Sequence, residues 1–134
     1  MSAPKFLATG RCLPAKIVTN DDLSRTVDTN DEWVFSRTGI HARHFCERES
    51  GMDLAQGAAR QALERSGLKP EDIGVCLVAT FTPDFASPSM ACMLQQRLGL
   101  KEDTICFDLN AACAGFLYGT KTAHALLADA PRPY

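Results

Sequence analysis

The sequence predicts an α/β fold with a mostly parallel sheet and packed helices, and three observations support this. Two short, continuous apolar runs, at residues 75–79 and 104–109, are typical of strands that are buried on both faces. Helical patterns precede, separate and follow these runs. The helix and strand units recur at about 30 residues, which is typical of right-handed crossovers in a parallel sheet.

Length and composition restrict the class of protein. The chain has 134 residues, of which 46% are hydrophobic and 22% are charged, as in soluble globular domains. The formal net charge of -2 gives no broad positive field, so nucleic acid is not a predicted partner. The start of the chain lacks the apolar core of a signal peptide, and no apolar run approaches the roughly 18 residues of a membrane span. A cytoplasmic location without membrane association is therefore predicted.

The first elements along the chain are short. Residues 6–12 form an apolar run that is interrupted by Gly10 and followed by Pro14, which predicts a first strand. Asn20 is a suitable N-cap for a helical turn that starts at Asp21.

A helix is predicted over residues 30–38. Thr29 and Glu32 have the spacing of a capping box, with acidic residues in the first turn. Trp33 and Arg37 lie four residues apart and therefore share one face of this helix. Such a pair is most often a surface indole with a guanidinium over it. The alternative is a nucleotide platform, in which the indole stacks on a base and the guanidinium meets a phosphate.

Two histidines and a cysteine lie close together in the sequence, at His41, His44 and Cys46. A fourth ligand is missing, and neighbouring arginines would repel a cation, so we predict ordinary loop residues and no metal. The 6 cysteines of the chain show neither a CxxC pair nor a zinc-ribbon spacing, which predicts reduced thiols.

Two amphipathic helices flank the first apolar run. Apolar residues recur at helical spacing over residues 53–66, and Gly67 ends this helix. Ser87 and Pro88 have the pattern of an N-cap and a first helical residue, and the helix that they begin ends at Gly99.

The chemistry is concentrated where the second apolar run meets a last helix, predicted over residues 114–128. Cys113 lies at this junction, where backbone N–H groups and the helix dipole favour thiolate over thiol. The dipole contributes roughly 0.3–1 kcal/mol, so a base or a second dipole must assist it. The alternative is a buried structural cysteine. Small residues leave room around the sulfur for a substrate: Ala111, Ala112, Ala114 and Gly115.

The last helix is apolar almost all round. Such a helix is normally sandwiched between two layers, and the strands predicted here can cover only one side of it. After the helix the sequence ends on a turn, where an α/β chain would ordinarily supply its next strand. We therefore expect another layer, from outside these predicted elements, to cover the rest of the last helix.

Several short motifs together resemble one enzyme family. The segment from Asp108 to Phe116 is similar to the nucleophile motif of β-ketoacyl-acyl carrier protein synthase III, the condensing enzyme that initiates type II fatty acid synthesis. Further matches occur in the order of the family at Thr9-Gly10, Leu13-Pro14, Thr19 to Leu23, Thr29 to Trp33, Arg37 to Ile40, Arg43, Gly67-Leu68, Asp72 to Gly74, Ala79-Thr80 and Pro88-Ser89. They span nearly all of the chain but only the first part of the family's usual length.

The resemblance implies a thiolase-like fold, which has two similar five-stranded α/β halves and forms a homodimer. Residues 1–134 would be most of the N-terminal half, and the C-terminal half would be absent from this chain. The family's catalytic His and Asn come from that second half. His41, His44 and His124 do not match the family's His.

The resemblance also implies roles for individual residues. Cys113 would attack an acyl-coenzyme A thioester, and the acyl-cysteine would then condense with malonyl-acyl carrier protein. Trp33 matches the residue that stacks on the adenine of coenzyme A, while Thr29 and Arg37 match residues that hydrogen-bond its nucleotide portion. Coenzyme A thioester is a substrate here, so no cofactor is implied. Ser87 stands where many members carry a bulky residue that reaches into the partner's acyl channel, which implies tolerance of primers longer than acetyl.

Two alternatives remain open. A related thiolase-fold acyltransferase or condensing enzyme of secondary metabolism would use the same nucleophile motif. A non-catalytic α/β assembly module would use none of it, and the isolated fragment is expected to be inactive. A His and an Asn in the family's downstream context would favour condensation over both.

Overall fold

The computed structural model of the protein describes residues 4–134. The chain divides into two compact units. The first, which we call the ribbon unit, is Leu13–Ser50. The second, the sheet unit, combines the segment that ends at Cys12 with Gly51–Tyr134.

The ribbon unit is built around two short antiparallel strands, in which Lys16 pairs with Phe45 and Thr19 pairs with Ala42. Its elements in chain order are β1 (Lys16–Thr19), α1 (Asn20–Leu23), α2 (Asp31–Thr38) and β2 (Ala42–Phe45). The prediction that His41 and His44 are ordinary loop residues is therefore wrong for His44, which lies on β2. Its ring Nδ1 lies 2.6 Å from the carbonyl oxygen of Pro14.

Both helix starts in the ribbon unit differ from the sequence prediction by one residue. Thr19, not Asn20, is the N-cap of α1, because Thr19 and Asp22 form a reciprocal capping box. Asn30, not Thr29, is the N-cap of α2, because its side-chain oxygen accepts the N–H of Trp33 at 2.8 Å. Neighbouring residues that can all act as caps made these starts ambiguous in the sequence.

The sheet unit contains the parallel pair that the sequence predicts. Its elements are α3 (Gly51–Ser66), β3 (Val75–Ala79), α4 (Met90–Leu98), β4 (Ile105–Leu109) and α5 (Gly115–Leu126), with short 3-10 turns at Pro70–Asp72 and Ala112–Ala114. Strands β3 and β4 run parallel, with Val75 opposite Ile105 and Ala79 opposite Leu109. The predicted helix-strand alternation is confirmed.

The predicted first strand at residues 6–12 is wrong. Among the described residues this segment pairs with no strand, and it packs against α3. The N–H of Arg11 donates to the side chain of Gln61, and a Cβ at Gly10 would lie 1.9 Å from the carbonyl oxygen of Ala58. The apolar run therefore serves helix packing instead of strand pairing.

The core of the sheet unit lies between α3, α4 and the two strands. Met52, Met90, Ala91 and Leu94 are buried, and Cys76 and Val78 of β3 pack against them. Each large apolar side chain buried in this way contributes roughly 1.5–3 kcal/mol. In the described part of the chain, no helix has the length and apolarity that crossing a bilayer requires.

Helix α4 begins later than Ser87 and Pro88 predict. Its N-cap is Ser89, whose hydroxyl accepts the N–H of Cys92 at 3.2 Å. The carboxylate of Asp108 on β4 accepts the N–H groups of Met90 and Ala91, each at 2.8 Å. This long-range contact fixes the start of the helix, and no local pattern in the sequence could have indicated it.

Candidate functional site

Cys113 lies in the 3-10 turn Ala112–Ala114, between the end of β4 and the start of α5. It is exposed, so the alternative of a buried structural cysteine does not describe it. The predicted last helix is confirmed, but its N-cap is Ala114. Cys113 therefore lies two residues before the first helical residue, Gly115, instead of within the first turn, and it remains next to the positive end of the helix dipole.

The turn that presents Cys113 has an unusual backbone. Ala112 has a φ of 42°, in the left-handed region, which costs a non-glycine residue on the order of 1–3 kcal/mol. The side-chain oxygen of Asn110 accepts the N–H of Ala112 at 3.4 Å, and Ala114 donates to the carbonyl of Ala111 at 2.9 Å. Strain of this kind is common where a fold presents a reactive side chain.

Close packing places this turn at the end of the parallel strands. A Cβ at Gly115 would lie 3.2 Å from the Cβ of Ala79, so glycine allows the start of α5 to approach β3. The N–H of Thr80 donates to the carbonyl oxygen of Leu109 at 3.1 Å. Residues that follow β3 and β4 thus leave from the same edge of the sheet, as do the ligand-binding loops of open α/β folds.

No base within the described residues contacts the Cys113 thiol. His124 is eleven residues further along, which on a helix corresponds to about 16 Å. The carboxylate of Asp108 is occupied by the start of α4. The helix dipole, which contributes roughly 0.3–1 kcal/mol, is the one activating feature that the described residues place beside the thiol.

Ser87 lies in the loop of residues 80–89 that connects β3 to α4. It is exposed, as are the large apolar side chains of Phe81 and Phe85 in the same loop. Because this loop follows β3 and the Cys113 turn follows β4, both lie at the carboxyl edge of the sheet. The structure therefore brings the loop of Ser87 to the edge of the sheet that carries Cys113.

The ribbon unit carries the other predicted site residues. The Arg37 guanidinium carbon lies 4.4 Å from the centre of the Trp33 ring, and the indole is 54% exposed. This is the surface cation–π pair that the spacing predicts, and it leaves the nucleotide alternative open. The Thr29 hydroxyl is buried and has no hydrogen-bond partner among the described residues. That unpartnered hydroxyl lies in the turn that leads into α2.

A polar network that sequence reasoning missed holds α2 in the ribbon unit. Asn20 is fully buried, and its amide donates to Asp31 and to the carbonyl of Ile40, each at 2.7 Å. Arg43 donates to the side-chain oxygen of Asn20, and His41 lies 2.9 Å from the Asp31 carboxylate. Hydrogen bonds from His41 and then Asn20 lower the pKa of Asp31. The partners lie 10 to 23 residues apart, so no local motif indicated them.

The remaining thiols and acidic groups do not form a metal centre. Within residues 4–134, no group of three or more His, Cys, Asp or Glu side chains is arranged to hold a metal ion.

Cys76 and Cys106 are register partners on β3 and β4. Burial raises the pKa of Cys76 to about 12, so this thiol stays protonated at neutral pH.

The fold is similar to part of the thiolase-fold condensing enzymes. The 3-oxoacyl-[acyl-carrier-protein] synthase III of Aquifex aeolicus superposes with a TM-score of 0.87 at 39% identity, over 92% of this chain and 41% of that one. The priming β-ketosynthase of a polyketide biosynthetic pathway superposes with a TM-score of 0.83 at 32% identity, over 89% of this chain and 36% of that one.

The curated relatives are named β-ketoacyl-[acyl-carrier-protein] synthase III. The protein of Clostridium acetobutylicum is 48% identical over 123 residues, which are 92% of this chain and 38% of the relative. That of Neisseria meningitidis serogroup A is 48% identical over 128 residues, 95% of this chain and 40% of the relative. No family model matches the chain.

The resemblance predicted from the motifs is therefore confirmed. Over nearly all of its length the chain is similar to β-ketoacyl-[acyl-carrier-protein] synthase III, and its fold is part of the thiolase fold. The chain spans about two fifths of the length of the curated relatives that it matches, 38% and 40% in these two cases.

Proposed function

We propose that this chain supplies the N-terminal half of a β-ketoacyl-acyl carrier protein synthase III, which condenses an acyl-coenzyme A primer with malonyl-acyl carrier protein. The observation that carries the proposal is an exposed cysteine, Cys113, on a strained turn between a buried strand and a helix. That arrangement occurs in a chain that is 48% identical to enzymes of this name. Coenzyme A thioester acts as a substrate in this proposal, and no cofactor is required.

In the proposed reaction, the Cys113 thiolate attacks the thioester carbonyl and the thiolate of coenzyme A leaves. The acyl group stays on the sulfur, and the backbone N–H of Cys113 is one donor to the oxyanion. Malonyl-acyl carrier protein loses carbon dioxide, and the resulting carbanion attacks the acyl carbon, which breaks its bond to the sulfur and releases the Cys113 thiolate. The His and Asn that stabilise this step belong to the second half that the proposal requires.

The ribbon unit is the proposed contact for coenzyme A. The indole of Trp33 is more than half exposed and offers a surface on which adenine can stack. Arg37 beside it supplies a guanidinium suited to phosphate, and Thr29 has an unpartnered hydroxyl. These features support the nucleotide assignment.

The choice of primer and the assembly complete the proposal. Ser87 has a small side chain where a bulky one would narrow the acyl channel, which supports primers longer than acetyl.

The start of α5 has exposed apolar side chains that association would remove from water: Phe116, Leu117 and Tyr118. A homodimer in the cytoplasm, where acyl-coenzyme A and acyl carrier protein meet, is therefore part of the proposal.

Replacement of Cys113 tests the proposed chemistry. In the native protein, purified from its own organism, acetyl-coenzyme A should add one acetyl group to the intact mass. Cys113→Ala should remove this adduct completely because the variant lacks the proposed nucleophile. Cys46→Ala changes another exposed cysteine and should keep the adduct. An acetylated Cys113→Ala protein would contradict the assignment.

Replacement of Trp33 tests the proposed nucleotide contact separately. Trp33→Ala should weaken coenzyme A binding by about tenfold because stacking on an aromatic ring contributes roughly 1–2 kcal/mol. Phe35→Ala is a matched control, since Phe35 lies on the same helix and stacks on His41. Isothermal titration with coenzyme A gives both affinities, and equal losses would contradict the role of Trp33.

A condensing enzyme of secondary metabolism is the second candidate. The structural likeness to a polyketide priming β-ketosynthase favours it. Both candidates form the acyl-cysteine, so the adduct does not separate them. Condensation rates with malonyl groups on the fatty-acid carrier protein and on a polyketide carrier protein do, because each enzyme should react faster with the carrier protein of its own pathway.

A further inference from the structure

The loop of residues 80–89, which carries Ser87, is tied to α3 by one carboxylate. Asp84 accepts the N–H of Gly51 at 3.1 Å through one oxygen and the N–H of Met52 at 2.8 Å through the other. These are the first two N–H groups of α3, where the helix dipole favours a negative charge. Asp84 therefore caps a helix that begins 33 residues earlier in the chain.

The end of the same loop is tied to β4 by a second carboxylate. The N–H groups of Met90 and Ala91, at the start of α4, donate to the two oxygens of Asp108, each at 2.8 Å. Met90 and Ala91 are buried, so this end of the loop is part of the core. Asp108 is also five residues before Cys113, on the strand that leads to it.

The two ties leave only a short free span. Ser87 lies three residues after Asp84 and three residues before Met90, and residues 85–88 are exposed. A chain of five residues between two fixed points has little freedom, since each residue extends at most about 3.5 Å. The two carboxylates thus fix both ends of the span that carries Ser87.

The two ties differ in what they hold. Asp108 joins two core elements, so its loss would disturb the sheet as well as the loop. Asp84 lies on the loop itself and is exposed, and its contacts hold the loop against the start of α3, where Met52 is buried. Asp84 is therefore the residue that can alter the loop while leaving the Cys113 turn unchanged.

We propose that Asp84 is a positioning residue for primer selection: its contacts with the start of α3 hold the Ser87 loop and thereby set the preference for acyl chain length. The inference rests on the proposed function, because it assigns the loop to the acyl channel of a Cys113-acylating enzyme.

Asp84→Asn tests the proposal in the native protein. Asparagine keeps the shape and one acceptor, but it turns an N–H donor toward one of the two helix N–H groups. Hydrogen exchange of the Gly51 and Met52 amides, which Asp84 accepts, should accelerate at least about tenfold. The ratio of Cys113 acylation rates with octanoyl- and acetyl-coenzyme A should change at least about threefold. The rate of Cys113 alkylation by iodoacetamide should stay the same, which separates primer selection from general damage.

Asp72→Asn is the matched control. Asp72 also accepts a backbone N–H, that of Lys69 at 2.9 Å, in a 3-10 turn outside the loop. Asp72→Asn should change neither the hydrogen exchange of the Gly51 and Met52 amides nor the acylation ratio. Asp84→Ser, which keeps one acceptor for a helix N–H, is the second variant in case Asp84→Asn does not fold.

The possible results separate this inference from the function beneath it. Unchanged exchange of the Gly51 and Met52 amides, or faster exchange with an unchanged acylation ratio, would overturn the role of Asp84 alone. An equal change of ratio in Asp72→Asn would also overturn it, as would failure of both Asp84 variants to fold, since Asp84 would then be a structural cap. A wild-type protein that no acyl-coenzyme A acylates would overturn the proposed function, and this inference with it.

Discussion

The two faces of the parallel sheet differ in how completely this chain covers them. Alternate residues of β3, Cys76 and Val78, pack against the buried cluster of α3 and α4. The intervening residues face α5 and line an apolar groove of about 350 Å³. At the start of α5, Phe116 and Leu117 remain 69% and 68% exposed. We call these the closed face and the open face.

The candidate nucleophile, Cys113, lies on the open face. The Cys113 turn runs directly into the helix whose apolar side chains are uncovered. Apolar patches of this kind on a soluble protein usually mark an interaction surface. Among the described residues, the open face thus lacks both a base beside Cys113 and a layer that covers α5. This is the side on which the proposed second half and partner subunit would pack.

The largest expected difference between the faces is thiol reactivity. At pH 8, N-ethylmaleimide should label Cys113 at least about a thousandfold faster than Cys76. Burial raises the pKa of Cys76 to about 12, so its protonated form is favoured and its thiolate fraction at pH 8 is on the order of 10⁻⁴. Peptide mass spectrometry gives both rates. Labelling in urea should make them similar, whereas similar rates in the folded chain would remove the distinction between the faces.

Much of the closed face could be predicted from the sequence. Strands β3 and β4 are continuous apolar runs, and α3 has apolar residues at helical spacing, so each follows from its own residues. The Cys113 junction and the apolar character of α5 were predicted on the same local grounds. The prediction failed at residues 6–12, because a strand requires a partner strand and this segment packs against α3 instead.

The parts that could not be predicted depend on distant pairs. The start of α4 is set by Asp108, which lies 18 residues from Met90, so the local signal at Ser87 and Pro88 was misleading. The burial of Asn20 depends on its contacts with Asp31 and Arg43. The left-handed backbone conformation of Ala112 could not be predicted from the residue type, since alanine rarely adopts this conformation.

The next difference is stability. Leu94→Ala, on the closed face, should lower the free energy of unfolding of this chain by about 3 kcal/mol, because it leaves a cavity in the core. Leu117→Ala, on the open face, removes the same atoms from an exposed side chain and should change it by less than about 0.5 kcal/mol. Urea denaturation measures both.

The same pair of variants reports on assembly. If another surface covers α5 in the native protein, Leu117→Ala should become destabilising there by about 2 kcal/mol while Leu94→Ala keeps its effect. A native protein as insensitive to Leu117→Ala as the isolated chain would contradict the proposed covering of the open face.

Substitutions at two helix glycines should change stability with opposite signs. Gly119→Ala on α5 should stabilise this chain by about 0.5–1 kcal/mol, because alanine is the better helix former and its Cβ would meet no described atom within 4 Å. Gly57→Ala on α3 should destabilise it by about 1–3 kcal/mol, because its Cβ would lie 2.7 Å from the sulfur of Cys12. Thermal unfolding followed by circular dichroism gives the two shifts. Stabilisation by both substitutions would mean that the segment ending at Cys12 does not pack on α3 as described, and destabilisation by Gly119→Ala would mean that the open face is already occupied.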